Sequence, residues 1–262
     1  MGALPLQSLR SRSLLPFLLN LFFSTVAFFF FLHVLYPRDH APATSKHTKA
    51  LVIASTSAKE ERNSAWLSDV PMDWDLYYYS VDNPISPMLA VPDNRGNEAM
   101  VYLTYIIDYY HDLPDVVLFH HDHLRAWHQE LDSITEVVGL RTQYVVDEGF
   151  VSTRCLGNCE NVMPVAQKVP PLAGLRKKTP RDEQLSALLN VFLEPGREAV
   201  PEVIAAPCCA QFAASREAIQ GRSRDWWAQL RQWLIETPLP SAQSGRLIEW
   251  TWHIWLGQES VL

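Results

Sequence analysis

The stretch DVVLFHHDH, residues 115–123, constrains this chain more than any other segment. Val116 to Phe119 are apolar at successive positions, so both faces of an extended strand there are apolar. Such a strand needs cover on both sides, which a half-solvated antiparallel sheet does not provide. ALVIAS (50–55) makes the same demand, and LYYYSV (76–81) adds aromatic content suited to a strand. Between them AKEERNSAWLSDV (58–70) predicts a helix or helical turn, and Asn94 or Asn97 can cap a helix that runs through Tyr110. Strand, helix, strand, helix, strand in this order predicts an α/β domain with a mostly parallel central sheet and flanking helices.

Elsewhere the pattern is less regular. Residues 156–206 are Pro-rich and include the basic RKKTPR (176–181), which reads as a solvated surface loop. CCAQFAAS (208–215) reads as a strand leading into a turn. Ser223 can cap a helix carrying Trp226, Leu230, Trp233 and Leu234, and a last helix is expected over Arg246 to Leu256.

The amino terminus divides from this body. After a tail (1–13) comes LLPFLLNLFFSTVAFFFFLHVLY, residues 14–36, which carries no charge. At about 1.5 Å per residue it reaches across a bilayer core, so it reads as a signal-anchor contacting the membrane. Residues 37–49 read as a stalk and 50–262 as one α/β domain. Flanking basic residues are balanced, leaving orientation open. The even count of 4 cysteines behind such a segment favours disulfides and a lumenal body in the secretory pathway. Buried free thiols are the alternative, and the C-x3-C of Cys155 and Cys159 with the neighbours Cys208 and Cys209 matches no standard zinc spacing. A net charge of -7 without a long Lys/Arg cluster speaks against a nucleic-acid footprint.

Ligands of open α/β sheets collect at the carboxyl ends of parallel strands, where this chain turns abruptly polar. Of its 9 histidines, His120, His121, His123 and His128 crowd around that strand end. Along an extended backbone His120 and Asp122 share one face, His121 and His123 the other. The segment therefore offers a His/Asp or a His/His pair, both competent for Mn, Zn or Fe. In LIEWTWHIW (247–255) Glu249 and His253 are four apart, on one helical face, and suit base catalysis or metal ligation. In NRGNEA (94–99) Gly96 permits close backbone approach, while Asn94, Arg95 and the amides of a helix start can hold a phosphate. Each has a plainer explanation: a solvated strand end, a surface hydrogen-bonded pair, a helix cap.

Three segments together, NRGNEAMVYLTYIIDYYHDLPDVVLFHHDH, CCAQFAASREAI and SGRLIEWTWHIWLG, resemble the fungal-rich family called domain of unknown function 3431. The likeness covers roughly residues 50–257 and implies membership, not a reaction. More distantly, the arrangement looks like nucleotide-sugar glycosyltransferases of the GT-A architecture. ALVIASTSAKEERNSAWL is similar to their opening strand and helix, and VVLFHHDH sits where they carry the metal-binding Asp-x-Asp. His121-Asp122-His123 departs from that motif by leaving one carboxylate, which turns the expectation from Mg toward Mn.

The reading that follows is a membrane-anchored, metal-dependent transferase taking a sugar from a nucleotide donor to a small-molecule or glycan acceptor. His120, Asp122, His123 and His253 would hold the divalent metal. Asn94, Arg95 and Gly96 would hold the diphosphate, and Glu249 and His253 would serve catalysis. Two alternatives stand beside it. One is a redox or hydrolytic tailoring enzyme of fungal secondary metabolism with ligands His120, His123 and His128; the other is a non-catalytic, membrane-tethered binding module.

Overall fold

A computed structural model describes residues 47–57, 64–84, 89–154, 160–165, 180–194 and 199–262. The proposed anchor (14–36), the tail, nearly all of the stalk, residues 58–63, Cys155 and Cys159 lie outside the described residues. Among the described residues no helix is long and apolar enough to cross a membrane.

The body is mixed α/β. Its main sheet has five strands in the order β2-β1-β3-β7-β4, built from β1 (Lys49–Ser55), β2 (Asp75–Ser80), β3 (Val116–His121), β4 (Phe150–Ser152) and β7 (Phe212–Ser215). β1 is parallel to both β2 and β3, as expected. β7 joins β3 antiparallel and β4 joins β7 antiparallel, so parallel pairing is confined to the first three strands. The difference from a mostly parallel sheet arises because β7 returns from the far side of the chain and FAAS carries no mark of strand direction.

Both faces of β1 and β3 are covered. Ala50, Val52, Val117 and Phe119 pack with α1 (Glu98–Asp108), α6 (Arg224–Glu236) and α7 (Ser241–Glu249). Leu51, Ile53, Val116 and Leu118 pack on Trp66 of a 3-10 helix (Ser64–Asp69), on Val137 of α2 (Ser133–Gly139) and on Val145 of α3 (Thr142–Glu148). Each such fully buried side chain contributes about 1.5–3 kcal/mol, which is what makes a wholly apolar strand a strong commitment to this position.

Other expectations changed. Residues 156–206 are not all loop: β5 (Glu160–Pro164) pairs antiparallel with β6 (Val203–Pro207), and α4 (Pro180–Phe192) buries Leu185, Leu188, Leu189 and Phe192 in the core. The stripe at i, i+3, i+4 and i+7 is helical, but prolines and charges around it mask the signal. α5 (Arg216–Gln220) follows β7. Ser223 caps α6 by accepting from Trp226 N, as predicted, whereas Asn97 makes no side-chain cap at α1. The last helix is broken: α7 ends at Glu249 and α8 spans Trp252–Trp255.

Candidate functional site

From β1 the chain passes outward to β2, then returns across β1 to form β3 on its other side. That reversal leaves a crevice beyond the carboxyl ends of β1 and β3, the place where α/β sheets bind ligands. A cavity of about 290 Å³ occupies it. Ser55 and Thr56 line it from the end of β1, Val81 from the end of β2, His121 from the end of β3, and Asn94, Asn97 and Glu98 from the start of α1.

The pleat of β3 sorts the polar residues that follow its apolar run. His121 and His123 continue the side occupied by Val117 and Phe119. Where His120 and Asp122 go is set by Val116 and Leu118. His128 returns to the first pair through a loop closed by Ser133, whose Oγ donates to the carbonyls of His123 (2.5 Å) and Leu124 (3.2 Å). Asp132 then caps α2 by accepting from Thr135 N. Ring centroids are 5.5 Å apart for His121–His123, 5.4 Å for His123–His128 and 6.1 Å for His121–His128. One nitrogen from each ring lies within 4.8 Å of the others, close enough for a single ion. Burial, aided by the Arg154 guanidinium, holds His128 below the ordinary imidazole range, so its ring is neutral and keeps a lone pair at neutral pH.

On the opposite side Asp122 is fully buried, and its Oδ2 accepts from Ser55 Oγ (2.6 Å) and Tyr78 OH (2.7 Å). It thereby ties together the three parallel strands, beside Ser55 of the crevice wall. Expected as a metal ligand, Asp122 is not part of the imidazole cluster. His120, also expected there, belongs to a second buried network. Its Nδ1 donates to the His121 carbonyl (2.7 Å), and its Nε2 faces the Gln211 amide (2.8 Å) and the Glu136 carboxylate (3.1 Å). Arg154 donates to the same Glu136 oxygen. With side chains 1% and 5% exposed, Arg154 and Glu136 form a buried ion pair beneath the site.

NRGNEA is divided between binding and construction. Asn94 lines the crevice, but Arg95 does not face a phosphate site: its guanidinium donates to the carbonyls of Ile235 (3.0 Å), Thr237 (2.7 Å) and Leu239 (2.8 Å) at the end of α6. Gly96, at φ 67°, lies so near Leu234 that a Cβ would sit 2.5 Å from its Cδ1. Gly245 of α7 is equally tight, with a Cβ there falling 2.6 Å from the Gly96 carbonyl oxygen. The glycines therefore serve the crossing of α6 and α7 against the start of α1.

Glu249 and His253 line one cavity, but elsewhere. They border a small cavity of about 10 Å³ with Cys208 and Gln211, and neither lines the crevice. Glu249 Oε1 accepts from Cys209 N (2.9 Å) and Arg246 Nη1 (2.6 Å), and His253 Nε2 donates to the Ser260 carbonyl (3.2 Å). Cys208 and Cys209 are joined to each other as a disulfide. His253 is thus far from being the fourth member of the His cluster, because the helix break at Trp250 and Thr251 turns it toward the carboxyl terminus.

The residues that sequence reasoning missed are Ser55, Thr56, Tyr78, Glu98, Glu136 and Arg154. Only Ser55 and Glu98 carried a signal, as the polar end of a strand and the acidic start of a helix. A family model matches residues 51–262. The chain belongs to the family described as protein of unknown function (DUF3431). Neither a curated protein nor a solved structure matches it.

Proposed function

We propose that this member of the DUF3431 family is a metal-dependent transferase that takes a sugar from a nucleotide donor. The observation that carries this reading is the adjacency of two features: a crevice at the strand-order reversal, and three imidazoles at its edge able to share one ion. Neutral imidazoles fit borderline divalent ions such as Zn, Fe, Co or Mn and fit Mg poorly. A bound ion would supply positive charge for a diphosphate leaving group. His121, His123 and His128 would hold it. The hydroxyls of Ser55 and Thr56 and the amides of Asn94 and Asn97 offer hydrogen bonds to the polar parts of a nucleotide. Glu98 is the carboxylate placed to take a proton from an acceptor hydroxyl. The GT-A resemblance drawn from the sequence puts the metal at this same strand end but on Asp122, which here accepts from Ser55 and Tyr78 instead, so the reading rests on the imidazoles. The reading includes residues 14–36 as an anchor that keeps the body in the secretory lumen, with a small molecule or glycan as acceptor.

The all-imidazole donor set favours a second reading, redox or hydrolytic tailoring of a small molecule, since three histidines with open positions are a common catalytic arrangement. Calorimetry of the full chain against a panel of nucleotide sugars, with and without MnCl₂, separates the two. Donor binding that requires the ion is the expected outcome. Tightly held zinc, iron or copper without affinity for any nucleotide would move the assignment to the second reading. No binding of either kind would leave a non-catalytic module.

A further inference from the structure

We infer that residues 124–144 form a lipid-docking face that rests on the headgroup region of an uncharged bilayer; this depends on the anchor reading of residues 14–36 above. Among the described residues 11 large apolar side chains are exposed, and five of them, Leu124, Trp127, Leu131, Val138 and Tyr144, fall in this one stretch. Trp127 is 85% exposed, with its indole set edge-on to His128 at 5.4 Å. Apolar residues scattered singly over a surface need no account, but a concentration of them marks a face that something covers.

The route of the chain into the body points to the cover. His47 Nδ1 and Thr142 Oγ1, at the start of α3, are 3.2 Å apart, and Thr48 N donates to Asp115 (2.8 Å). The apolar segment ends at residue 36, and the residues between it and His47 span at most about 40 Å whatever their conformation. An anchored segment therefore holds the start of α3 within that distance of a bilayer. Tyr144 belongs to α3, Val138 to α2, and the other three to the loop before α2. Indole and phenol rings with an apolar body and one polar atom settle at the headgroup level, and leucines reach beneath them. Charge agrees with an uncharged surface. Arg125 and Arg141 balance Glu130 and Asp132, with Arg125 3.3 Å from Asp132, while Glu136 is spent on Arg154 in the interior. His128, next to Trp127, belongs to the imidazole cluster, so docking would bring that edge of the candidate site to the headgroups.

The tryptophans supply the test. All 9 lie in the body and none in residues 14–36, and Trp127 is the exposed one among them. The full chain is reconstituted into phosphatidylcholine vesicles, plain or brominated near the headgroup end of the acyl chains, where bromine quenches a neighbouring indole. The unaltered chain is expected to lose roughly one-ninth of its emission to the brominated lipid, one indole of 9. Trp127→Phe is expected to abolish that loss. Leu124→Glu combined with Leu131→Glu keeps the indole but makes the face polar, and is expected to abolish it too. Equal emission in the two kinds of vesicle, from a chain that stays with them through an alkaline wash, overturns the inference and leaves the anchor standing. Quenching that survives Trp127→Phe overturns it as well, because another face then meets the lipid. A chain that washes off the vesicles removes the anchor reading, and the inference with it.

Discussion

On the side of the strand end that faces Trp66 and α2, His120 and Asp122 meet Ser55, Tyr78, Gln211, Glu136 and the ion-paired Arg154, all within the interior. On the side that faces α1, His121 and His123 gather with His128 at the edge of a cavity. The same four residues therefore serve two purposes, one pair in construction and the other in the candidate site. Polar residues at the carboxyl end of a strand are not of one kind: which neighbours the pleat gives them decides whether they hold the fold or face a ligand.

The comparison predicts separable effects. The largest is expected from Arg154→Met, which leaves Glu136 buried without its cation and costs about 3–5 kcal/mol in urea unfolding. Next is Asp122→Ala, which removes the acceptor for two hydroxyls from neighbouring strands and costs about 3 kcal/mol by the same measurement. A metal affinity that collapses in Asp122→Ala while urea stability holds would break the division between the faces. On the α1 side, His123→Ala is expected to lower Co²⁺ affinity by at least about 100-fold, roughly 2.7 kcal/mol, and to leave the urea midpoint nearly unchanged.

The smallest effect concerns pH and the second cavity. Burial lowers the His253 pKa below its ordinary 6.5, partly opposed by the Ser260 carbonyl. The folded state then binds fewer protons than the unfolded state just below that value, so stability rises with pH across the window. His253 contributes fully above about pH 6.5, and its contribution is lost as pH falls from there toward the folded-state value. Thermal melts between about pH 5 and 8 should show the decline, and His253→Gln should flatten it. An unchanged slope would show that this histidine is not the group responsible.

The strand run that demanded cover on both faces was legible because hydrophobicity along β1 and β3 is a local property, and so was the alternation dividing His120 and Asp122 from His121 and His123. The choice between those pairs was not. It depended on α1 lying against one face and α2 against the other, contacts made by residues far apart in the chain. Arg95 looks like a phosphate ligand in sequence and becomes a clamp because three carbonyls at the end of α6 reach it first. Glu249 and His253 read as partners on one helix; they share a cavity, yet the break between α7 and α8 carries them away from the crevice.

By itself, then, the sequence determined that this chain folds around a buried strand ending in histidines, since burial of successive apolar residues admits few other solutions. Tertiary structure alone decided that β7 enters the sheet reversed, that His128 joins His121 and His123, and that Glu98 stands beside His121. Hydrogen bonds and close contacts act over a few ångströms in space, and separation along the chain does not encode them.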